Sequence, residues 1–142
     1  MKNLVILGAG TAGTMMANHL VKKLNKKDWQ ITLVDQFKSH YYQPGFLFIP
    51  FGTYQPEDVK RTIDEFLPKG IQLIREKIDR IDKETDTVIL ENGINVKYDI
   101  LIIATGCKIA PEEVPGMKGD TWQKNIFDFY TFEGSCALAK KS

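Results

Sequence analysis

The sequence predicts an α/β domain in which a parallel sheet carries an inserted three-stranded antiparallel meander. Apolar runs at 3–7, 30–35 and 99–105 are rich in β-branched residues, which is typical of central strands buried on both faces of a parallel sheet. A helix with an apolar stripe follows the first run. Between the second and third runs, short alternating segments are joined by the turn sequences KETD and ENG, which favour antiparallel hairpins.

The composition fits an ordinary globular protein. Of the 142 residues, 43% are hydrophobic and 26% are charged, and the net charge is +1. This near-neutral charge gives no indication of nucleic-acid binding. The two cysteines, Cys107 and Cys136, are too far apart for a CxxC redox motif or a zinc knuckle, so we predict no metal site. No apolar run approaches the roughly 18 residues of a membrane-spanning helix, and no export signal is indicated.

The helical segments follow from apolar spacing and from residues that favour helix ends. The first helix is expected from about Thr11 to Lys26, and with the strands on either side it forms one βαβ unit. A second helix is expected over 56–67, because Pro56 suits a first helical position and Val59 and Ile63 begin an apolar face.

The remaining elements are short. Strands are expected near 72–74, 77–82, 87–90 and 95–98, and a last helix from about Phe129 to Lys141. An α/β chain that stops on an uncovered helix indicates a fragment of something longer. Residues 1–110 are predicted to form one α/β domain. Residues 111–142 are interpreted as a connection and first helix leading into a second, truncated domain of the same kind.

The sequence GAGTAG carries the strongest functional signal. Gly8, Gly10 and Gly13 have the G-x-G-x-x-G spacing between a buried strand and an amphipathic helix, as in Rossmann-like folds. This arrangement gives a tight turn, close backbone approach to a pyrophosphate, and a helix N-terminus that faces the anion. Asp35 follows the second strand, 22 residues after Gly13, where a carboxylate can accept hydrogen bonds from ribose hydroxyls. The acid disfavours the 2′-phosphate of NADP but does not separate NAD from FAD.

The meander and the triplet that follows it favour FAD, so residues 1–110 are predicted to be a Rossmann-like FAD-binding domain and 111–142 to lead into a second dinucleotide-binding-like domain. The first domain of flavoproteins with two dinucleotide domains has a Rossmann start, a three-stranded antiparallel insertion and a buried strand that ends in ATG. Here the triplet is Ala104, Thr105 and Gly106. It stands at the carboxyl end of a predicted strand, where α/β sheets bind their ligands.

The chain resembles the amino-terminal part of the sulfide:quinone oxidoreductase family over essentially its whole length. The motifs GAGTAG, Asp35 and ATG are shared with a wider superfamily of flavoproteins. The more specific ones are YQPGFLFIPFG, ATGCKIAPEEVPGM and FDFYTFEG. The resemblance implies FAD as prosthetic group, sulfide oxidised to bound sulfur, and electrons passed through the flavin to quinone.

The resemblance also implies where the site residues lie. The family's redox cysteines are expected after residue 142, so no catalytic residue is predicted within this span. The quinone pocket and an amphipathic membrane anchor are expected there too, which implies a cytoplasmic protein held at the membrane surface; a homo-oligomer stays open. The positions expected to bind the cofactor are Gly8, Gly10, Thr11, Ala12, Gly13, Asp35, Gln36, Gln43, Pro44, Ile78, Ala104, Thr105 and Gly106.

The stretch HYYQPGFLFIPFG at 40–52 is unusually apolar for a loop. In a flavoprotein, Gln43, Pro44 and Gly45 can bring rigid backbone beside the flavin, because proline fixes φ and glycine permits close approach. The phenylalanines at 46, 48 and 51 then face the flavin surroundings or a second domain, with ordinary core packing as the alternative. His40, which begins the stretch, is a weaker candidate for approach to the cofactor.

Two alternative functions remain open. A type II NADH:quinone dehydrogenase shares this first domain but needs a second nucleotide fingerprint further along the chain. A non-catalytic nucleotide-binding module needs only the glycine loop, and its flavin would not be bleached by sulfide or by NADH.

Overall fold

The computed structural model describes residues 1–141, which form two compact units. The first unit comprises Met1–His40 and Thr62–Gly106, and the second comprises Tyr41–Arg61 and the segment from Cys107 onward. Two further short strands pair with each other in a two-stranded sheet. The domain boundary near residue 110 stays a prediction.

The strands are numbered in chain order. They are β1 (Lys2–Leu7), β2 (Trp29–Val34), β3 (Ser39–Tyr41), β4 (Lys60–Thr62), β5 (Ile71–Ile74), β6 (Ile78–Asp82), β7 (Thr87–Leu90), β8 (Asn95–Lys97) and β9 (Ile100–Ile103). In the first unit, β5, β2, β1 and β9 form a parallel sheet in that order, and β6, β7 and β8 form an antiparallel sheet. The predicted fold class is confirmed.

Strand β1 is buried on both faces because successive side chains point to opposite sides of the sheet. Leu4 and Ile6 belong to one core cluster, together with Ala17 of helix α1 (Thr11–Lys23). Val5 and Leu7 belong to a second cluster with Val88 and other residues of the meander. Burying each large apolar side chain stabilises the fold by about 1.5–3 kcal/mol. A strand covered on both faces, such as β1, therefore favours a continuous apolar run over alternating apolar and polar residues.

The third apolar run forms an edge strand, so its prediction as a central strand is wrong. Within the described residues, β9 pairs only with β1. Ile103 is 64% exposed and Ile100 is 44% exposed, unlike the fully buried residues of β1. A continuous apolar run does not distinguish a strand with two neighbours from one with a single neighbour.

The helix predicted over 56–67 is also wrong. Two short 3-10 helices, Pro56–Val59 and Ile63–Phe66, are separated by the extended residues of β4. Each short helix begins with a capping box, formed by Gln55 with Asp58 and by Thr62 with Glu65. Two start signals within eight residues therefore divide the segment, although Val59 and Ile63 are buried as the apolar spacing predicts.

Two helix boundaries differ from prediction for local reasons. Helix α1 ends at Lys23, three residues early, because Leu24 adopts an extended conformation with ψ 138°. Helix α2 (Phe132–Ala139) begins three residues late. Thr131 is its N-cap: the Thr131 hydroxyl accepts a 2.9 Å hydrogen bond from the Gly134 N–H.

The second unit has a small aromatic core that includes part of the apolar stretch at 40–52. Gln43–Phe48 forms a 3-10 helix, and Phe46, at 4% exposure, packs with Tyr41 and Phe132. For Phe46 the alternative of ordinary core packing therefore holds. Phe48 and Phe51 remain exposed, at 42% and 71%. Among residues 1–141, no helix is long and apolar enough to cross a lipid bilayer.

Candidate functional site

The first glycine of the loop makes a turn that no other residue can make. Gly8 has φ +93°, and a Cβ atom there would lie 2.4 Å from the carbonyl oxygen of Ala104. Ala104 is the first residue after β9, and its N–H donates to the Leu7 carbonyl across 2.8 Å. The turn after β1 and the ATG triplet are therefore in direct backbone contact at the carboxyl edge of the sheet.

The third glycine sets the approach of helix to strand. A Cβ atom on Gly13 would lie 1.8 Å from the Gly8 carbonyl oxygen, which is backbone and cannot move aside. Gly13 is buried, and the next residue, Thr14, donates its hydroxyl to the carbonyl of Gly10 across 2.9 Å. Helix α1 thus starts directly against the loop.

The second glycine has no such structural reason. Gly10 is the N-cap of α1, has φ −71°, and a Cβ atom there would meet nothing within 4 Å. The helix has no side-chain cap and no acidic residue in its first turn. Gly10, Thr11 and Ala12 are all exposed at this point. The arrangement leaves open space and uncapped N–H groups, which suits an anionic group such as a pyrophosphate.

Asp35 ties the glycine loop to the end of β2. Its Oδ2 accepts a 2.6 Å hydrogen bond from the Ala9 N–H, and its Oδ1 accepts a 2.7 Å bond from the Phe37 N–H. The sequence suggests only a contact with ribose for this residue. Because each carboxylate oxygen accepts more than one hydrogen bond, both oxygens retain capacity for a ligand hydroxyl.

His40 makes a second side-chain contact with Ala9. Its Nδ1 lies 3.1 Å from the Ala9 carbonyl oxygen, and its ring packs on Phe66 with a centroid distance of 4.4 Å. The sequence does not indicate that Ala9 is held in this way, because its two side-chain partners lie more than 25 positions away.

The structure brings only part of the predicted set together. The glycine loop, Asp35 and Ala104 form one cluster, with Thr105 and Gly106 exposed beside Ala104 and Gly106 at φ +77°. Gln36 is exposed next to Asp35, whereas Ile78 packs in the core cluster on the meander side of the sheet.

Gln43 and Pro44 belong to the second unit. The Gln43 amide donates to the Tyr130 carbonyl across 3.2 Å, and Pro44 is exposed at the start of its 3-10 helix.

The cysteines lie in different surroundings. Cys107 is exposed, whereas Cys136 is half-buried and lines an open cavity of about 880 Å³ in the second unit. Burial raises the pKa of the Cys136 thiol, and the nearby Glu133 carboxylate raises it further. No group of three or more potential ligands that could hold a metal ion occurs among residues 1–141.

A parallel sheet whose first strand leads through a glycine-rich turn into an uncapped helix defines the class of dinucleotide-binding α/β domains. Comparison with known families is specific: residues 2–136 match the family described as pyridine nucleotide-disulphide oxidoreductase. The chain belongs to this family.

Similar proteins include members of two groups of quinone oxidoreductases. The sulfide-quinone reductase of Aquifex aeolicus is 31% identical over 141 residues, which covers 99% of this chain and 31% of that protein. A type II NADH:quinone oxidoreductase of Staphylococcus aureus is 28% identical over 123 residues, covering 86% of this chain and 30% of that protein. The crystal structure of the Aquifex aeolicus sulfide:quinone oxidoreductase superposes with a TM-score of 0.80 at 29% identity, over 99% of this chain and 31% of that one. The chain thus spans about a third of the length of these relatives.

Proposed function

We propose that this chain is the FAD-binding amino-terminal part of a sulfide:quinone oxidoreductase. The observation that carries the cofactor assignment is the open space at Gly10 in front of the uncapped N-terminus of α1. The fold needs a glycine at positions 8 and 13 but not at 10, so the missing side chain there is explained by a ligand that comes close to the backbone.

The proposed roles follow from position at the sheet edge. The N–H groups of Thr11, Ala12 and Gly13 face the pyrophosphate, and Asp35 accepts ribose hydroxyls with its remaining lone pairs. The backbone of Thr105 and Gly106 approaches the cofactor from the end of β9. Gln36 and Ile78, which also belong to the first unit, are proposed as further positions that contact the cofactor. FAD supplies a two-electron acceptor that can take electrons from sulfide and release them to quinone.

Sulfide is proposed as the electron donor because the Aquifex aeolicus protein matches both in sequence and in structure over 99% of this chain. NADH is the second candidate, since the Staphylococcus aureus relative is nearly as similar over 86% of the chain. No residue of this chain is assigned to the oxidation of sulfide, so this activity is proposed for the full-length protein, whose redox cysteines would lie after residue 142.

We further propose that the full-length protein acts in the cytoplasm at the membrane surface, where quinone is found. Attachment to the membrane is proposed to come from segments after residue 142 of the full-length protein. Homo-oligomer formation is compatible with this arrangement.

Anaerobic reduction of the full-length protein tests the donor. Sulfide and NADH are added to separate samples while the flavin absorbance near 450 nm, roughly the usual band of an oxidised flavin, is followed. Bleaching by sulfide and its reversal by a quinone analogue are expected. Bleaching by NADH and not by sulfide would favour the type II NADH:quinone dehydrogenase. A flavin that neither donor bleaches would indicate a non-catalytic nucleotide-binding module.

A further inference from the structure

Ala9 lies at the centre of the glycine loop, and the peptide groups on both sides of its Cα atom are held by side chains. Its N–H donates to Asp35 Oδ2 across 2.6 Å, and its carbonyl oxygen lies 3.1 Å from His40 Nδ1. Ala9 itself is 1% exposed. All of these residues belong to the first unit.

The chemistry of this contact fixes which nitrogen of His40 carries a proton. A carbonyl oxygen only accepts hydrogen bonds, so Nδ1 must be the donor. The ring is oriented by its packing on Phe66, and the chain before it is held by the Ile63 N–H, which donates to the Lys38 carbonyl across 2.9 Å. His40 is therefore a rigidly placed donor rather than a mobile surface group.

The loop needs such a support because glycines stand on both sides of Ala9. Gly8 and Gly10, which flank Ala9, have more backbone freedom than other residues because they lack a Cβ atom. Without an external hydrogen bond, the Ala9–Gly10 peptide could rotate and turn the first N–H groups of α1 away from a ligand. Any ordering left until binding would weaken the affinity.

We propose that His40 is a positioning residue of the dinucleotide-binding loop. Its Nδ1–H bond to the Ala9 carbonyl acts together with the Asp35 bond to the Ala9 N–H. Together they fix the two consecutive peptide planes, Gly8–Ala9 and Ala9–Gly10, before the cofactor arrives. This inference rests on the proposed function for its ligand, but the clamp on Ala9 is a property of the free protein and can be measured separately.

Two substitutions of His40 distinguish the contribution of Nδ1 from that of Nε2. The side-chain amide nitrogen in His40→Asn can occupy the place of Nδ1, whereas in His40→Gln it corresponds to Nε2. We expect His40→Gln to raise the dissociation constant for FAD by about three- to tenfold, the loss associated with one hydrogen bond, and His40→Asn to stay closer to the wild type. His19→Gln is the matched control, because His19 is exposed on α1 and should leave the affinity unchanged.

Both readouts use the full-length apoprotein. FAD binding is followed by quenching of flavin fluorescence, and hydrogen exchange of the peptide that spans residues 4–16 is followed by mass spectrometry without FAD. The expected result is faster exchange in His40→Gln than in His40→Asn, in parallel with the affinities. If both variants weakened FAD binding equally, the proposal would be overturned. The imidazole ring as a whole, and not the Nδ1–H donor, would then account for the effect of His40 on the loop.

Unchanged exchange and affinity in His40→Gln would also overturn it, as would faster exchange with no change in affinity. Failure of the proposed function would give a different result from failure of this inference. The wild type would then bind no FAD, while exchange in the free protein would still report whether His40 restrains the loop.

Discussion

Gly8 and Ala104 are in such close backbone contact that a single methyl group would not fit between them. A Cβ atom on Gly8 would lie 2.4 Å from the Ala104 carbonyl oxygen and 2.7 Å from its carbon. This contact joins the end of β1 to the end of β9, which are separated by almost 100 residues in sequence. It places the two backbone segments of the proposed cofactor site against each other.

Gly8→Ala is therefore expected to destabilise the protein strongly. The substitution strains a residue with φ +93° and forces a clash with backbone, so the free energy of unfolding should fall by about 3 kcal/mol. Urea unfolding measures this change. Gly93→Ala is the matched control, because Gly93 has φ +84° but nothing within 4 Å of an added Cβ, and it should cost only about 1–2 kcal/mol. Equal losses in the two variants would show that the contact with Ala104 is not tight.

Gly10→Ala should separate ligand binding from stability. The added methyl group meets no neighbour and φ is −71°, so the free energy of unfolding should change by no more than about 0.5 kcal/mol. The methyl group occupies the space into which the pyrophosphate is proposed to come, so the dissociation constant for FAD should rise at least about tenfold, equivalent to 1.4 kcal/mol. Calorimetric titration of the apoprotein measures it. Wild-type affinity in this variant would contradict the proposed position of the cofactor.

Phe46 and Phe51 should respond differently to the same substitution. Phe46 is 4% exposed within the aromatic core of the second unit, so Phe46→Ala should lower the free energy of unfolding by about 3–5 kcal/mol. Phe51 is 71% exposed, and Phe51→Ala should change it by less than about 0.5 kcal/mol. Thermal and urea unfolding of the two variants make the comparison. A large loss in Phe51→Ala would mean that this side chain is covered.

The Cys136 thiol should react slowly at neutral pH. Burial, and then Glu133, raise its pKa, so less of the reactive thiolate is present than at an ordinary cysteine. Since the folded state holds this proton more tightly, its contribution to stability is present below the pKa of the unfolded thiol and is lost as the pH rises through the folded pKa. Mass spectrometry of iodoacetamide labelling as a function of pH should show Cys136 reacting more slowly than the exposed Cys107.

Two neighbours of Cys136 provide matched controls. Glu133→Gln should speed labelling because it removes a charge that raises the pKa, and Lys140→Gln should slow it because Lys140 lowers the pKa. Labelling of Cys136 as fast as that of Cys107 at pH 7, or the opposite order in these variants, would contradict this account.

The positions of the main strands and of the glycine-rich turn are predictable from sequence here because they depend on local residue patterns. The apolar runs locate β1, β2 and β9, and the GAGTAG spacing locates the turn and the start of α1. Helical spacing at Val59 and Ile63 correctly indicates burial but not helix, since capping residues start two separate turns. Apolar periodicity reports which side chains are covered, and several backbone conformations can satisfy it.

The hydrogen bonds that hold the glycine loop are not predictable from sequence because they join residues that are far apart along the chain. Asp35 is recognisable as an acid after a strand, but its bonds to Ala9 and Phe37 depend on how β2 ends beside the turn. The contact of His40 with the Ala9 carbonyl has no sequence signal at all. The neighbours of β9 likewise depend on the assembled sheet.

The cofactor content of the purified full-length protein is the most direct test of an FAD site at the glycine loop. Denaturation should release a flavin that chromatography and fluorescence identify as FAD, at about one per chain, as one Rossmann-like site requires. Release of NAD alone, or of no dinucleotide from protein that also fails to bind added FAD, would contradict this expectation.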